Sequence, residues 1–318
     1  MLDNYQYTNG GFQQYPVSRN QNQLVPAMVL TEGTIFDYKT LCNYRVNCVG
    51  LITQITGFKT MTNKQRTDLS YYPGCSLATT AKENNRSLKY LFRHLGYNLN
   101  ELEDWNCCGS SSAHSVDNDL AFDLACRNLS LAPPNRPLLV ACPSCLLRLR
   151  HAHLQLKEDP AARNRYEEKW GKPYDAGLEI MHFFEFLDNL DLLKFAKDNI
   201  QRLNGLKFVT YYGCMLARPP AMRNERNYHG LMEKILSSLG ATPVNWAYSS
   251  RCCGTFLTVA RPDVVTPIVN EIIQGAIKSD ADCVVTACAM CHLNLEVRST
   301  LKEKIPVLHF SEIISLAL

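Results

Sequence analysis

Tyr71-Tyr72-Pro73-Gly74-Cys75 and, about 140 residues further on, Tyr211-Tyr212-Gly213-Cys214 are two versions of one string, and the likeness continues outward from both. Each copy runs through a helical stretch ending in Leu-Gly (Leu95-Gly96, Leu239-Gly240) and a short segment holding a tryptophan (Trp105, Trp246). Cys-Cys-Gly follows at 107–109 and at 252–254. After a second helical stretch come apolar runs, Pro137 to Ala141 and Asp282 to Ala287. These end in Cys142-Pro143-Ser144-Cys145 and Cys288-Ala289-Met290-Cys291. Both copies close on His-Phe-x-Glu, at His182 to Glu185 and His309 to Glu312, ahead of an apolar helix. That last match lies outside the cysteine strings, so whole domains are duplicated and not merely ligand loops. The separation falls to 127 residues at His-Phe-x-Glu; the difference sits in a charged insertion around Lys157 to Tyr174, read as a surface excursion.

Within a copy the order is strand, Cys loop, helix, strand, Cys-Cys-Gly loop, helix, strand, Cys-x-x-Cys, helix. Short apolar runs alternating with helical patterns of roughly 10–20 residues predict α/β units with largely parallel sheets. The expected architecture is two duplicated Rossmann-like α/β domains, 67–195 and 196–318, behind a poorly ordered N-terminal extension at 1–66. The extension is rich in Asn, Gln, Tyr and Thr and has no amphipathic period. Only Cys48 to Ile55 reads as a short strand. Met61 is a natural start for the folded part, so residues 1–60 are expected to lie upstream of the working protein, with no role for Cys42 and Cys48.

The chain of 318 residues has a net charge of only +3 with scattered Lys and Arg, which disfavours a nucleic-acid partner. No apolar run reaches the roughly 18 residues needed to span a bilayer, and no secretory signal opens the sequence. In a cytoplasmic protein, the expectation here, 14 cysteines read as metal or redox ligands and not as a disulfide framework.

Ligands of a parallel sheet gather at the carboxyl ends of its strands. Every repeated cysteine group falls where a strand hands over to a helix. That placement would bring together Cys75, Cys107, Cys108, Cys142 and Cys145, and likewise Cys214, Cys252, Cys253, Cys288 and Cys291. The intervals are 31 and 33 residues in the first copy and 37 and 34 in the second. Cysteines acting as small hydrophobes would not recur as an ordered quintet. A disulfide set leaves one thiol of five unpaired. Zinc takes four tetrahedral ligands, and adjacent cysteines rarely serve one small ion together, although four of the five remain able to do so. Iron–sulfur clusters spread several metal atoms over a few ångströms, so neighbouring thiolates reach different irons; this is the strongest reading. The bacterial ferredoxin spacing is absent. Gly109 and Gly254 are expected where the backbone turns sharply beside the cluster and a Cβ would intrude, with turn amides donating to sulfur.

The paired C…CCG…CxxC strings, together with Tyr-Pro-Gly-Cys75-Ser-Leu, Asp104-Trp-Asn-Cys-Cys-Gly and Ala141-Cys-Pro-Ser-Cys145, resemble the CCG-domain proteins, in particular the B-type subunit of heterodisulfide reductase. The resemblance covers about residues 68–318. It implies two [4Fe-4S] clusters of the noncubane kind, one per quintet, with one cysteine of each bridging irons. They would face each other around a disulfide or thiol substrate, each delivering one electron. It implies two partners: a ferredoxin-like iron–sulfur subunit (C type) and a flavoprotein subunit (A type). The direction, disulfide reduction or thiol and sulfane-sulfur oxidation, is open. The alternative is an electron-transfer or quinone-linked CCG subunit of a succinate dehydrogenase or fumarate reductase assembly. Met215 departs from relatives with a polar neighbour, including His, after this cysteine.

Other candidates have plainer readings. His114 and His292 are placed to donate a proton to a thiolate, but surface or hydrogen-bonded histidines are the commoner case. His182 and His309 recur as a structural cap would. Arg218, beside Pro219 and Pro220, reads as a solvated arginine ahead of a possible anion contact. Trp105 and Trp246 shield clusters or fill core, and Cys126 and Cys283 fit core positions.

Overall fold

The computed structural model describes residues 66–110, 113–190, 203–217 and 228–317. The N-terminal extension up to residue 65, with Cys42, Cys48 and Met61, and the Arg218-Pro219-Pro220 segment lie outside the described residues.

Strands β1 (Thr67–Tyr72), β2 (Tyr97–Glu101), β3 (Leu138–Val140) and β4 (Ile180–His182) form one sheet in the order β2-β1-β3-β4. Strands β5 (Lys207–Tyr211), β6 (Thr242–Pro243), β7 (Cys283–Thr286) and β8 (Val307–His309) form a second in the order β6-β5-β7-β8. Every pairing in both is parallel. The inner strands β3 and β7 are buried at every residue, as strands covered by helices on both faces must be. The α/β class and the duplication thus stand as expected.

Two features depart from the sequence reading. Each sheet has a fourth strand, β4 or β8, ending on the repeated histidine. Ile-Met-His and Val-Leu-His are too short to show a period. The charged insertion is the surface excursion expected, but it carries a helix, Pro160–Trp170, that the sequence reading did not include. Asp159 caps its N-terminus on the amides of Ala161 and Ala162, Pro160 opens it and Gly171 ends it in a left-handed turn. Its Tyr166 ring packs on Phe122 at 5.7 Å, which anchors the helix to the first half.

The halves pack reciprocally. The Cys-x-x-Cys helix of the first half, Pro143–Glu158, lies against the short Gly213–Ala217 helix of the second. The second half's Cys-x-x-Cys helix, Ala289–Arg298, lies against Gly74–Ala78. Phe184 meets Phe310 edge-on at 4.6 Å, so the repeated His-Phe strings meet where the halves join. Polar contacts cross the same boundary: Asn84 Nδ2 to His292 Nδ1 at 2.9 Å and Ser87 Oγ to Ser311 Oγ at 2.7 Å. Arg150 Nη1 lies 3.3 Å from the Tyr228 hydroxyl. Among the described residues no helix is long and apolar enough to cross a membrane.

Candidate metal centre

In a sheet of order 2-1-3-4 the chain leaves β1 and β3 in opposite directions, opening a crevice at their carboxyl ends. Cys75 follows β1 and Cys142 follows β3, on the two sides of that crevice; Cys214 and Cys288 repeat the arrangement after β5 and β7. Cys142 is the N-cap of the helix whose first turn carries Cys145, so helical pitch holds both thiols at one end. Cys288 and Cys291 are placed alike.

The thiols do come together. Cys75 is in hydrogen-bond contact with Cys107, Cys107 with Cys108, and Cys145 with Cys142. Cys108 Sγ and Cys145 Sγ are 3.2 Å apart, which closes the first quintet into one string. In the second half Cys214 contacts Cys252, Cys288 contacts Cys291, and Cys253 Sγ lies 3.5 Å from Cys291 Sγ. The two quintets also touch, Cys142 against Cys288. Cys75 and Cys252 are exposed, whereas Cys108, Cys142, Cys145, Cys253, Cys288 and Cys291 are buried.

Charge in this sulfur string is managed locally. Cys107 is pulled far below the ordinary thiol range, first by hydrogen bonds from Cys108 and Cys75 and then by the Gly109 amide, against the cost of burial. Cys142 is lowered by Cys145, by Cys288, and by the amides of Cys145 and Ser144. Cys253 is lowered by Cys291 and the Thr255 amide. Cys75 and Cys214, which donate to Cys107 and Cys252, are raised. A thiol that donates to its neighbour keeps its proton, so five crowded thiols cannot all ionise without added positive charge.

This donor set fits an iron–sulfur cluster. Five thiols joined in one string, with buried Cys108, Cys142 and Cys145 among them, supply the thiolate sulfurs such a cluster takes. The backbone is also cut away beside them. A Cβ on Gly74, at φ +76°, would sit 2.9 Å from Cys145 Sγ, and one on Gly213, at φ +68°, 3.3 Å from Cys291 Sγ. The reason expected for Gly109 and Gly254 needs correcting. Both adopt left-handed backbone, but a Cβ there would strike Ala113 and Ala121, or Val265, so helix packing and not the sulfur site excludes it. Gly74 and Gly213 are the glycines at the thiols, and their position directly before the first cysteine of each copy was the available signal.

The remaining candidates resolve plainly. His182 closes a capping box with Glu185, and its Nε2 lies 3.1 Å from the Ala141 carbonyl. His292 is buried between Asn84 and the Val307 carbonyl, 2.9 Å from each. His114 sits in the four-residue helix Ala113–Val116. Trp105 stands edge-on to Tyr72 at 5.3 Å, and Trp246 Nε1 donates to the Thr210 carbonyl at 2.8 Å. Cys126 and Cys283 are fully buried core residues.

Burial holds His182 and His309 at about 3, well below the ordinary imidazole value. Below about pH 6.5 the unfolded chain takes up protons that these folded histidines refuse, so stability falls as pH drops toward 3. The expected slope is about 1.4 kcal/mol per pH unit for each histidine. Denaturant midpoints taken between pH 6.5 and 5 check it, and His182→Asn should flatten the slope by one proton.

Fold and site together define a duplicated cysteine-rich α/β protein with paired thiolate centres. The chain belongs to the CCG cysteine-rich domain family, whose model matches residues 69–150 and 208–296. It is 32% identical over 265 residues to the 8-methylmenaquinol:fumarate reductase membrane anchor subunit of Wolinella succinogenes, covering 79% of this chain and 92% of that one. It is 28% identical over 266 residues to the B-type subunit of the ferredoxin:CoB-CoM heterodisulfide reductase of Methanosarcina mazei, covering 79% and 89%. A crystal structure of a hypothetical protein from Helicobacter pylori has the same fold, with TM-score 0.63 and 13% identity over 88% of this chain; the match spans 54% of that structure. The family and these relatives imply iron–sulfur binding, and both named relatives are subunits of multi-subunit reductases.

Proposed function

We propose that the chain is the iron–sulfur catalytic subunit of a heterodisulfide-reductase-like complex, holding one noncubane [4Fe-4S] cluster in each quintet. The observation that carries this reading is the contact between Cys142 and Cys288, which leaves the two quintets no more than a substrate's reach apart. When bound, the clusters supply one electron each, matching the two that a disulfide takes up, with two protons, in becoming two thiols. The residues around them have separate tasks. Buried Cys108, Cys142 and Cys145, with their counterparts, hold each cluster away from water, and turn amides from Gly109, Ser144 and Thr255 favour the added negative charge. Exposed Cys75 and Cys252 mark the edges open to solvent. The complex is cytoplasmic on this reading, with C-type iron–sulfur and A-type flavin subunits as its partners.

A second reading is supported by the 32% identity to the Wolinella subunit: an electron-transfer or quinone-linked subunit of a fumarate-reductase-type assembly. Anaerobically prepared protein should contain about eight iron and eight acid-labile sulfide per chain; zinc without sulfide would sink both readings. Native purification separates them. Flavin and ferredoxin-like partners support disulfide chemistry, and a succinate dehydrogenase or fumarate reductase flavoprotein supports the second reading.

A further inference from the structure

The two Cys-Cys-Gly loops are held by different neighbours. In the first half Asn106, directly before Cys107, exchanges two hydrogen bonds with Asn128. Its amide donates to Asn128 Oδ1 at 2.9 Å, and its carbonyl accepts from Asn128 Nδ2 at 2.9 Å. Asn128 belongs to the helix that follows the loop, Asn118–Leu131, so this loop is tied to its own continuation. In the second half a tie comes from the Cys-x-x-Cys helix, Ala289–Arg298. Asn294 Nδ2 donates to the carbonyl of Cys253 itself at 2.8 Å. Buried Asn294 stands one turn beyond Cys291. It therefore joins the second cysteine of the loop to the helix that presents two other thiols of the same quintet.

The orientation of that amide is fixed from behind. Asn294 Oδ1 accepts from the Thr258 hydroxyl at 2.6 Å, and Thr258 Oγ1 accepts in turn from Arg298 Nε at 2.8 Å. A flipped amide would set its oxygen against the Cys253 carbonyl, so only one assignment satisfies every group. The result is a relay of donors from Arg298 through Thr258 and Asn294 to Cys253, running from a half-exposed cation to a buried thiol residue. Each bond polarises the next, and a cation at the head strengthens the donor at the end. Asn294 is also among the groups that lower the Cys253 thiol, after Cys291 and the Thr255 amide and against the cost of burial. The relay has no counterpart in the first half. Counted from the equivalent cysteines and glycine, Arg148 stands for Asn294, Ala113 for Thr258 and Ala152 for Arg298, and neither alanine side chain can donate or accept.

We propose that Asn294 is a positioning residue of the second centre. It clamps Cys253 onto the helix of Cys288 and Cys291 and, through the Arg298–Thr258 relay, gives the second cluster a polarised support that the first lacks. This rests on the cluster reading above. Groups behind the ligands orient them and tune the metal they hold. The two clusters, alike in thiols, would then differ in loading and in potential.

Asn294→Asp keeps the size and the acceptor for Thr258 but sets a carboxylate oxygen against the Cys253 carbonyl, with a charge that opposes the reduced cluster. Thr258→Val keeps the shape and breaks the relay while leaving Asn294 in place. The full chain is prepared anaerobically and followed by iron and sulfide content, EPR redox titration and Tm, with Cys253→Ala marking the signals of the second cluster. The expected result for Asn294→Asp is an emptied second quintet, with iron and sulfide down by about half. Thr258→Val should keep both clusters, with the second at lower potential and the first unchanged. Asn294→Asp with both clusters at wild-type potentials overturns the inference and leaves the cluster reading standing. Equal loss from the two quintets overturns it as well, because the clamp acts on one. If Asn294→Asp does not fold, Thr258→Val decides: both potentials unchanged, whatever the Tm, would make the tie purely structural and overturn the inference. Wild-type protein without iron and sulfide overturns both readings.

Discussion

Arg150→Met should lower the stability of the protein by about 3–5 kcal/mol, the usual cost of removing one partner from a buried ion pair. Arg150 Nη2 lies 2.7 Å from Glu185 Oε2, and both side chains are nearly closed to solvent at 6% and 3% exposure. The guanidinium also donates to the Ile180 carbonyl at 2.8 Å, and Glu185 accepts from the Tyr228 hydroxyl and the His182 amide. Removing the cation leaves a buried carboxylate with only neutral partners. Since Tyr228 comes from the second half, the same change loosens the join between halves. For a protein of this size the loss reads as a fall in apparent Tm on the order of 10 °C, followed anaerobically by circular dichroism. Arg150→Met combined with Glu185→Gln removes the stranded charge while keeping an acceptor for the His182 amide, so it should recover most of the loss. Failure of the double variant to recover would place the destabilisation in lost packing and not in the orphaned carboxylate.

That network shows where sequence reading stops. The duplicated Tyr-Tyr and His-Phe strings made the α/β duplication legible, because strand-to-helix handovers recur at matching places in both copies. The grouping of ten thiols followed from the rule that such handovers share one edge of a parallel sheet. What was not legible is mostly pairwise and long-range. Glu185 and Glu312 are equivalent in sequence, but the residue equivalent to Arg150 in the second half is Glu296, so nothing local announces the ion pair. The contact of Cys142 with Cys288 depends on how the halves meet, which no repeat encodes. The Pro160–Trp170 helix was not legible: its charged sequence and weak periodicity outweigh the Asp-Pro start and Gly end that mark it. His182 and His309 were legible as caps.

Gly74→Ala is expected to empty the first quintet while leaving the second filled. Two costs fall on the substitution together. At φ +76° an L-residue carries left-handed strain of roughly 1–2 kcal/mol. In addition the new Cβ would stand 2.9 Å from Cys145 Sγ, closer than a side-chain carbon can come, so either the turn carrying Cys75 or the ligand itself must move. Gly213→Ala meets the same backbone strain at φ +68°, but its Cβ would lie 3.3 Å from Cys291 Sγ, a gap that a shift of a few tenths of an ångström relieves. The two variants therefore rank. With one cluster per quintet, Gly74→Ala should drop bound iron and sulfide by about half, as Cys108→Ala should by deleting a ligand outright, and Gly213→Ala should keep most of both. Iron and sulfide analysis with EPR of the anaerobic proteins distinguishes these outcomes. Gly74→Ala with a full complement would mean that the turn carrying Cys75 or the Cys145 side chain gives way without cost to the cluster, and that the close approach at Gly74 does not govern loading. Loss of both clusters in Gly74→Ala would instead mean that the quintets assemble as one unit, through the boundary where Cys142 meets Cys288.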